Sequence, residues 1–362
     1  MDGHSSTFFF SDSSLLLTVY VDDFILSGPC EKHEPFWTAL SAKVNLEAIT
    51  GLERFLGRYH ELVSLGGKPG IAFAMTDYVK SACELYESLP GAKALKAAPT
   101  PFVPDGGLLP DDDNVKGELS DNACKMLMKC LWVARLARPD LLRPITVLAT
   151  KIQAWTVNCD KQLYRLMCYM SSSSEYKLVG QVLDDPSQLE LVLYVDADFA
   201  GDRQDAKSTS GGYLVLQGPS AFFPICWTSK KQTSVSRSTT EAELVSLAYS
   251  LFGEAIPMLS LWERLLRRPV TLRILEDNEA TIKVIKKGYS SKLRHLSRTQ
   301  RVNIASIHES LLDPQVILQY VESSKQAADV FTKSLDPQKW GNALSLLGVH
   351  PNLSASQSKT LN

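Results

Sequence analysis

The chain has 362 residues, enough for two or three domains that each bury a core. Its hydrophobic content of 44% and charged content of 22% are ordinary for globular proteins, and its apolar runs are too short to span a bilayer. A net charge of −2 excludes a uniformly basic nucleic-acid binder but leaves room for a local basic segment. Seven scattered cysteines without a CxxC pair argue against a zinc site or disulfides and predict an intracellular protein, cytoplasmic or nuclear, with no membrane partner.

The first third of the chain alternates apolar runs with turns. Residues 13–28 (SSLLLTVYVDDFILSG) predict a β-hairpin with Asp22 and Asp23 at its turn. Adjacent aspartates are also common turn formers, so two explanations stay open for this pair. A helix over residues 31–43, a second hairpin around residues 66–70 and a helix over residues 77–89 are expected to follow.

The middle of the chain predicts a linker and a helical segment. Residues 97–114 are rich in Pro, Gly and Asp, which is typical of a linker. Helical patterns follow at residues 121–137, 141–155 and 161–170. At the other end, residues 352–362 are polar and are expected to be disordered.

The run Leu191–Asp198 (LVLYVDAD) predicts a central strand that is buried on both faces and ends in two acids. A carboxylate on a rigid strand end is suited to holding Mg²⁺ for phosphodiester chemistry. The alternative is that Asp196 and Asp198 only begin a polar turn.

Three later acids have ordinary structural explanations when each is taken alone. Glu243 lies near the apolar face of a helix over residues 236–252 and could complete a capping box with Thr240, although Ser238 and Glu241 offer a capping box of their own. Asp277 follows a predicted strand and could be a helix N-cap. Asp329 lies in a predicted short helix over residues 323–333 and could be a solvated acid.

A basic segment runs from residue 280 to residue 301, with seven Lys or Arg and no acid. In a chain that is net acidic, this run favours phosphate contacts over a solvated helix face. Two lysines on a neighbouring strand extend it. The predicted nucleic-acid-binding residues are Lys230, Lys231, Lys283, Lys286, Lys287, Lys292, Arg294, Arg298 and Arg301.

Several dispersed segments resemble one protein family in content and in order. They are YVDD (20–23), ARPD (137–140), YVDADFAG (194–201), KSTSG (207–211), WTSKKQ (227–232), TTEAEL (239–244), DN (277–278) and ADVFTKSL (328–335). Together they resemble the copia-type LTR retrotransposon Pol polyproteins, in which a reverse-transcriptase YxDD box precedes a ribonuclease H domain.

This resemblance implies a mixed α/β and α+β architecture in four parts. Residues 1–96 would be a late palm and thumb remnant of a reverse transcriptase, 97–188 a linker and helical connection, 189–335 a mixed-sheet ribonuclease H-like domain, and 336–362 a polar tail. The chain begins just before YVDD, so we expect the polymerase residues Tyr20, Asp22 and Asp23 to lack the partner aspartate of an earlier palm strand and to be inactive.

The resemblance also implies an activity, the hydrolysis of RNA in an RNA–DNA hybrid. Two Mg²⁺ (or Mn²⁺) ions would be held by Asp196, Glu243, Asp277 and Asp329, one activating water and the other stabilising the leaving oxygen. Asp198 would be a turn acid or an outer acid of the site. Other Pol or Gag products are possible partners.

The sequence departs from the family at one further place, and two rival functions remain open. Where the family has a KHID-like segment, residues 300–303 read QRVN, which leaves open whether His295 or His308 assists product release. One rival is a decayed or co-opted copy that binds nucleic acid without cutting it. The other is a glycosyltransferase that uses residues 196–198 as a metal-binding DxD motif, although it explains neither Asp277 and Asp329 nor the basic segment.

Overall fold

The amino-terminal part of the chain folds into hairpins and helices, as the alternation of apolar runs and turns predicts. The computed structural model describes residues 6–202, 205–351 and 353. The elements of this part are β1 (Ser6–Phe10), β2 (Leu15–Tyr20), β3 (Asp23–Ser27), α1 (His33–Ser41), β4 (Arg54–Phe55), β5 (Arg58–Leu65), β6 (Lys68–Ala74) and α2 (Thr76–Glu87). Strands β2 and β3 form the predicted hairpin, and β1 adds an unpredicted strand beside β2.

Three helices and a short strand form the middle of the chain: α3 (Ser120–Leu136), α4 (Leu142–Ala149), α5 (Val157–Ser172) and β7 (Lys177–Gly180). Between α3 and α4, Arg138 is fully buried and forms a two-pronged ion pair with Asp140, at 2.9 and 2.7 Å. The hydroxyl of Tyr169 on α5 donates to the same carboxylate at 2.8 Å. Burying the two charges is tolerable because they are paired and hydrogen-bonded.

A five-stranded mixed sheet organises the last part of the chain. Its strands follow the order β10-β9-β8-β11-β12, with three antiparallel strands followed by two parallel ones. This is the ribonuclease H-like arrangement that the sequence predicts. The elements are β8 (Glu190–Ala197), β9 (Thr209–Gln217), β10 (Phe222–Lys231), α6 (Thr239–Ser250), α7 (Ile256–Leu266), β11 (Leu272–Glu276), α8 (Glu279–Lys287), α9 (Leu296–Thr299), α10 (Ile304–Ser310), β12 (Val316–Tyr320), α11 (Pro337–Leu346) and β13 (Val349–His350).

One sheet joins segments that the predicted boundaries assign to different parts of the chain. Strands β13, β7, β6, β5 and β4 form one sheet, so residues assigned to the palm remnant, the connection and the tail pair with one another. One hydrophobic cluster extends from Phe73 to Val349 and includes Val192 of the mixed sheet. Residues 336–350 are therefore a folded helix and strand, and the expected disorder beyond them lies outside the described residues apart from Leu353. The predicted helix over residues 323–333 is instead two 3₁₀ turns.

Helices α6 and α7 are joined by a π-helical turn, Leu251–Ala255, into a continuous apolar stretch. By length and composition alone, Thr239–Leu266 could cross a membrane. Its first half, however, buries Leu244 and Leu247 against the mixed sheet together with the charged Glu241 and Glu243. This packing is that of a core helix.

Candidate active site

The site begins where β8 and α6 meet. Asp196 lies near the end of β8 and is 1% exposed. The hydroxyl of Ser246 on α6 donates to the Asp196 carbonyl at 2.7 Å, and the side-chain amide of Gln232 donates to the carbonyl of Ala242 at 2.9 Å. These bonds fix α6 against the strand, so that Glu243 faces Asp196.

The capping alternatives for Glu243 and Asp277 do not apply. The Ser238 hydroxyl accepts from the Glu241 amide at 3.2 Å, and the Glu241 carboxylate accepts from the Arg237 amide at 3.0 Å, so that this pair caps α6. Helix α8 is capped by Asn278, whose side-chain oxygen accepts from two amides of the first turn. Both Glu243 and Asp277 are therefore left to the cluster.

Asp196, Glu243 and Asp277 converge at the carboxyl end of the sheet. Each offers a carboxylate oxygen, and the three oxygens lie within 4.8 Å of one another. They line an open cleft of about 610 Å³ together with Phe199 and Lys333. Carboxylate oxygens at this spacing can be shared by a hard divalent cation such as Mg²⁺.

Burial makes this cluster electrostatically costly. Burial, together with the charges of the neighbouring Glu276, Asp196 and Asp277, raises the pKa of Glu243 to about 11. Burial likewise raises the pKa of Glu276 well above its usual range. One oxygen of each, Glu243 Oε2 and Glu276 Oε2, has no hydrogen-bond partner among the residues that the structure describes. Unsatisfied buried oxygens of this kind are suited to a cation.

The fourth predicted ligand, Asp329, is linked to Asp196 by a lysine that contacts both carboxylates. Lys333 Nζ lies 2.6 Å from Asp329 Oδ1 and 3.1 Å from Asp196 Oδ1. The Thr332 hydroxyl donates to the other oxygen of Asp196. Burial and the charge of Asp196 raise the pKa of Asp329 to about 6. Asp329 is thus close to the site but is not one of the three converging ligands.

Asp198 is held outside the cluster, in keeping with the outer role expected of it. Its carboxylate accepts from the Thr209 amide and pairs with Arg143 of α4 at 3.3 Å. Arg143 also donates to the Thr332 carbonyl at 2.9 Å. The helical connection therefore supports two segments of the site.

Close packing near Asp196 depends on one glycine. A Cβ on Gly211 of β9 would lie 2.6 Å from Thr332 Cγ2 and 3.0 Å from the Ala328 carbonyl oxygen. Because glycine has no side chain, the segment carrying Thr332 and Lys333 can lie against the sheet beside Asp196. This explains the glycine in the KSTSG motif.

The acids of the YVDD segment are not part of this cluster. Asp22 and Asp23 are exposed at the hairpin tip, where Val21 has a φ of +58°. The Tyr20 ring packs near Trp132, with ring centroids 6.3 Å apart. Within residues 6–202, 205–351 and 353, the one group of three or more potential metal ligands is Asp196, Glu243 and Asp277.

The predicted basic residues differ in their partners. The seven from Lys283 to Arg301 are all exposed and follow α8 and the segment after it. Lys283 pairs with Glu279 at 3.1 Å, and the Arg294 guanidinium donates to the Tyr289 hydroxyl at 2.7 Å. On β10, Lys231 pairs with Asp202 and Asp205, and Lys230 lies over the Tyr249 ring. The lysines of β10 are therefore less available to phosphates than their sequence suggests.

Neither His295 nor His308 is placed to act as a free base at the acidic cleft. His295 Nε2 lies 3.1 Å from the buried Glu241 carboxylate, and His308 Nδ1 lies 3.1 Å from the Ile285 carbonyl. Both contacts tie neighbouring elements together and do not direct a ring into the acidic cleft.

Sequence reasoning missed three residues at the site: Glu276, Thr332 and Lys333. Glu276 could have been found, since it directly precedes Asp277 at the end of an apolar strand. Lys333 lies four residues after Asp329, but only the fold shows that its side chain also reaches Asp196.

No protein-family model matches the chain. It is 27% identical over 343 residues to the retrovirus-related Pol polyprotein from transposon RE1 of Arabidopsis thaliana, covering 93% of this chain and 22% of that protein. It is 25% identical over 360 residues to the transposon Ty1-DR5 Gag-Pol polyprotein of Saccharomyces cerevisiae (strain ATCC 204508 / S288c), covering 94% and 19%. A solved ribonuclease H1, LC11-RNase H1 isolated from compost, aligns over 40% of this chain and 92% of its own, with 17% identity and a TM-score of 0.27.

The similarity to these two polyproteins covers nearly the whole chain. The chain spans about a fifth of the length of the curated relatives it matches. By sequence it is similar to retrotransposon Pol polyproteins of the copia type over nearly its whole length.

Proposed function

We propose that this chain hydrolyses the RNA strand of an RNA–DNA hybrid at the acidic cleft. The observation that carries the proposal is the convergence of Asp196, Glu243 and Asp277, with three carboxylate oxygens within 4.8 Å. Similarity to intracellular transposon polyproteins supports a reaction inside the cell.

The residues present fit the divalent ions that this chemistry needs. Two buried acids each keep an oxygen without a partner in the described part of the chain, and three acids present oxygens to one cleft. Asp196, Glu243 and Asp277 would hold the ions, with Asp329 beside them. When bound, Mg²⁺ or Mn²⁺ supplies charge for the phosphoryl oxygens and lowers the pKa of water.

The other residues near the cleft either orient Asp196 or would bind the hybrid. Thr332 and Ser246 fix Asp196, the first at its carboxylate and the second at its carbonyl. The exposed basic residues from Lys286 to Arg301 would hold the hybrid backbone without reading its sequence. Asp22 and Asp23 have no role in the proposed hydrolysis, and we expect no primer extension from this polypeptide.

A gel assay on a hybrid with labelled RNA tests the proposal. We expect cleavage with Mg²⁺, none with EDTA and none from Glu243→Gln, whereas Asp22→Asn should cleave like the wild type. Cleavage that persists in EDTA would refute the metal-dependent reaction. A folded wild-type protein that binds the hybrid without cutting it would favour the non-catalytic rival.

A further inference from the structure

The cleft already contains a cation that belongs to the chain. The Lys333 ammonium lies 3.1 Å from Asp196 Oδ1 and 2.6 Å from Asp329 Oδ1. The Asp196 side chain is 1% exposed and that of Asp329 is 20% exposed, whereas Lys333 is 40% exposed and lines the cleft. The positive charge thus lies on the acids, and the lysine stem has a path to solvent.

A divalent ion held by Asp196 would lie close to this ammonium. Two like charges a few ångströms apart repel strongly when solvent is partly excluded. An ion on the Asp196 carboxylate would share that group with the Lys333 ammonium, which already lies at hydrogen-bond distance from Oδ1. The lysine side chain is flexible, so moving it outward costs less than moving the buried strand.

We propose that Lys333 is an internal counter-ion, which pairs with Asp196 and Asp329 and partly balances their charge in the metal-free protein, and which is displaced toward solvent when a divalent ion binds. This inference rests on the proposed function in one respect, that Asp196 is a metal ligand. Lys333 is then a residue that sets metal affinity, stabilising the metal-free fold at the expense of ion binding.

The test is the replacement Lys333→Met, which keeps the aliphatic stem and removes the charge. We expect Mn²⁺ to bind at least about tenfold more tightly by calorimetric titration, because the competing charge is gone. The variant should also melt lower than the wild type in EDTA, since Asp196 and Asp329 lose their partner. Lys325→Met is the matched control, because it removes the same charge from an exposed lysine that pairs with Glu322.

Mn²⁺ affinity in Lys333→Met that equals or falls below that of Lys325→Met would overturn the inference. Asp196→Asn separates the two proposals. If the wild type binds Mn²⁺ and Asp196→Asn does not, an unchanged Lys333→Met affinity refutes only the counter-ion. If Asp196→Asn binds Mn²⁺ as the wild type does, Asp196 is not a ligand and both proposals fall.

A measurement on the wild-type protein does not depend on the variant folding. Amine labelling with mass-spectrometric readout should show Lys333 becoming more reactive when Mg²⁺ is added, while Lys325 stays unchanged. Reactivity of Lys333 that is constant or falls with Mg²⁺ would contradict displacement.

Discussion

Two groups of acids in this chain differ both in their spacing along the sequence and in their surroundings in the structure. Asp22 and Asp23 are neighbours on one exposed hairpin turn. Asp196, Glu243 and Asp277 come from a strand, a helix and a strand end, yet their oxygens lie within 4.8 Å in a half-buried cleft. Adjacency along the chain does not by itself concentrate charge, because solvent screens exposed acids. Acids from separate elements that converge at a buried edge of the sheet do concentrate charge.

The comparison also shows how the converging group is maintained. Hydrogen bonds from Ser246 and Thr332 fix Asp196, and Lys333 partly balances its charge. Burial still leaves Glu243 with a strongly raised pKa. The fold therefore carries an electrostatic cost at this edge, which is typical of functional sites.

The sharpest way to break the comparison is to neutralise Asp196 in one group and both acids of the other. Asp196→Asn should lower hybrid cleavage at least about a hundredfold, since ion binding supplies several kcal/mol to the transition state. The double change of Asp22 and Asp23 to Asn should leave cleavage unchanged. Rates from single-turnover assays on folded proteins decide between them. Equal losses from both changes would mean that the two groups do not differ in function.

A second test uses the pH dependence of stability. Because the pKa of Glu243 is raised to about 11, the folded state holds a proton that the unfolded chain releases near pH 4.5. The stability that this proton contributes is full below pH 4.5 and is lost as pH rises toward 11. In EDTA, the free energy of unfolding should therefore fall between pH 7 and pH 9, by up to about 1.4 kcal/mol per pH unit.

Denaturant titrations at pH 7, 8 and 9 measure that slope. Glu243→Gln should make the slope shallower, because the amide has no proton to lose in this range, while the raised pKa of Glu276 keeps part of it. A wild-type free energy of unfolding that is constant or rises over the same range would contradict the raised pKa of Glu243.

The third test concerns support for the cluster from the helical connection. Arg143→Met leaves Asp198 without its cation and frees the Thr332 carbonyl, so the segment beside Asp196 loses a fixed position. We expect cleavage to fall about tenfold, because small displacements of catalytic groups are costly. Arg143→Lys should restore part of it by renewing the charge. A lower melting temperature with an unchanged kcat would make Arg143 merely structural.

A smaller effect is expected from the basic segment. Changing Lys286 and Lys287 to Glu should weaken hybrid binding and flatten its salt dependence, by about 0.9 in slope for each phosphate that the variant no longer neutralises. Lys231→Gln is the comparison, because its ammonium already pairs with Asp202 and Asp205, and it should change the slope less. Filter-binding titrations from 50 to 200 mM salt, roughly the range over which such interactions weaken, measure both. An unchanged slope in the double variant would reduce the segment to a solvated surface.

The smallest expected signal is from the exposed acids themselves. Asp22 and Asp23 are not in a group of three ligands within the described residues, so this polypeptide should not extend a primer on a poly-rA template. Incorporation above background with Mg²⁺ or Mn²⁺ would show that the hairpin pair finds a partner carboxylate.

Local patterns in the sequence determined much of this molecule. The alternation of apolar runs and turns located the YVDD hairpin, and the run ending at Asp196 located the central strand. The spacing of Leu244, Leu247 and Leu251 set the buried face of α6 and brought Glu243 to its edge. The competing cap of Ser238 and Glu241 correctly left Glu243 unused. These features depend on neighbours within a few residues, which the sequence displays directly.

Only the tertiary structure decided the rest. The sheet that joins β13 to β7 and β6 runs across the expected boundaries, and the partners of Lys231 make a predicted phosphate-binding residue less available. No local pattern singles out Lys333, and only the fold places its ammonium within reach of both Asp196 and Asp329. Each of these outcomes depends on contacts between residues far apart in the chain. Their energies come from burial and charge at positions that no local pattern specifies.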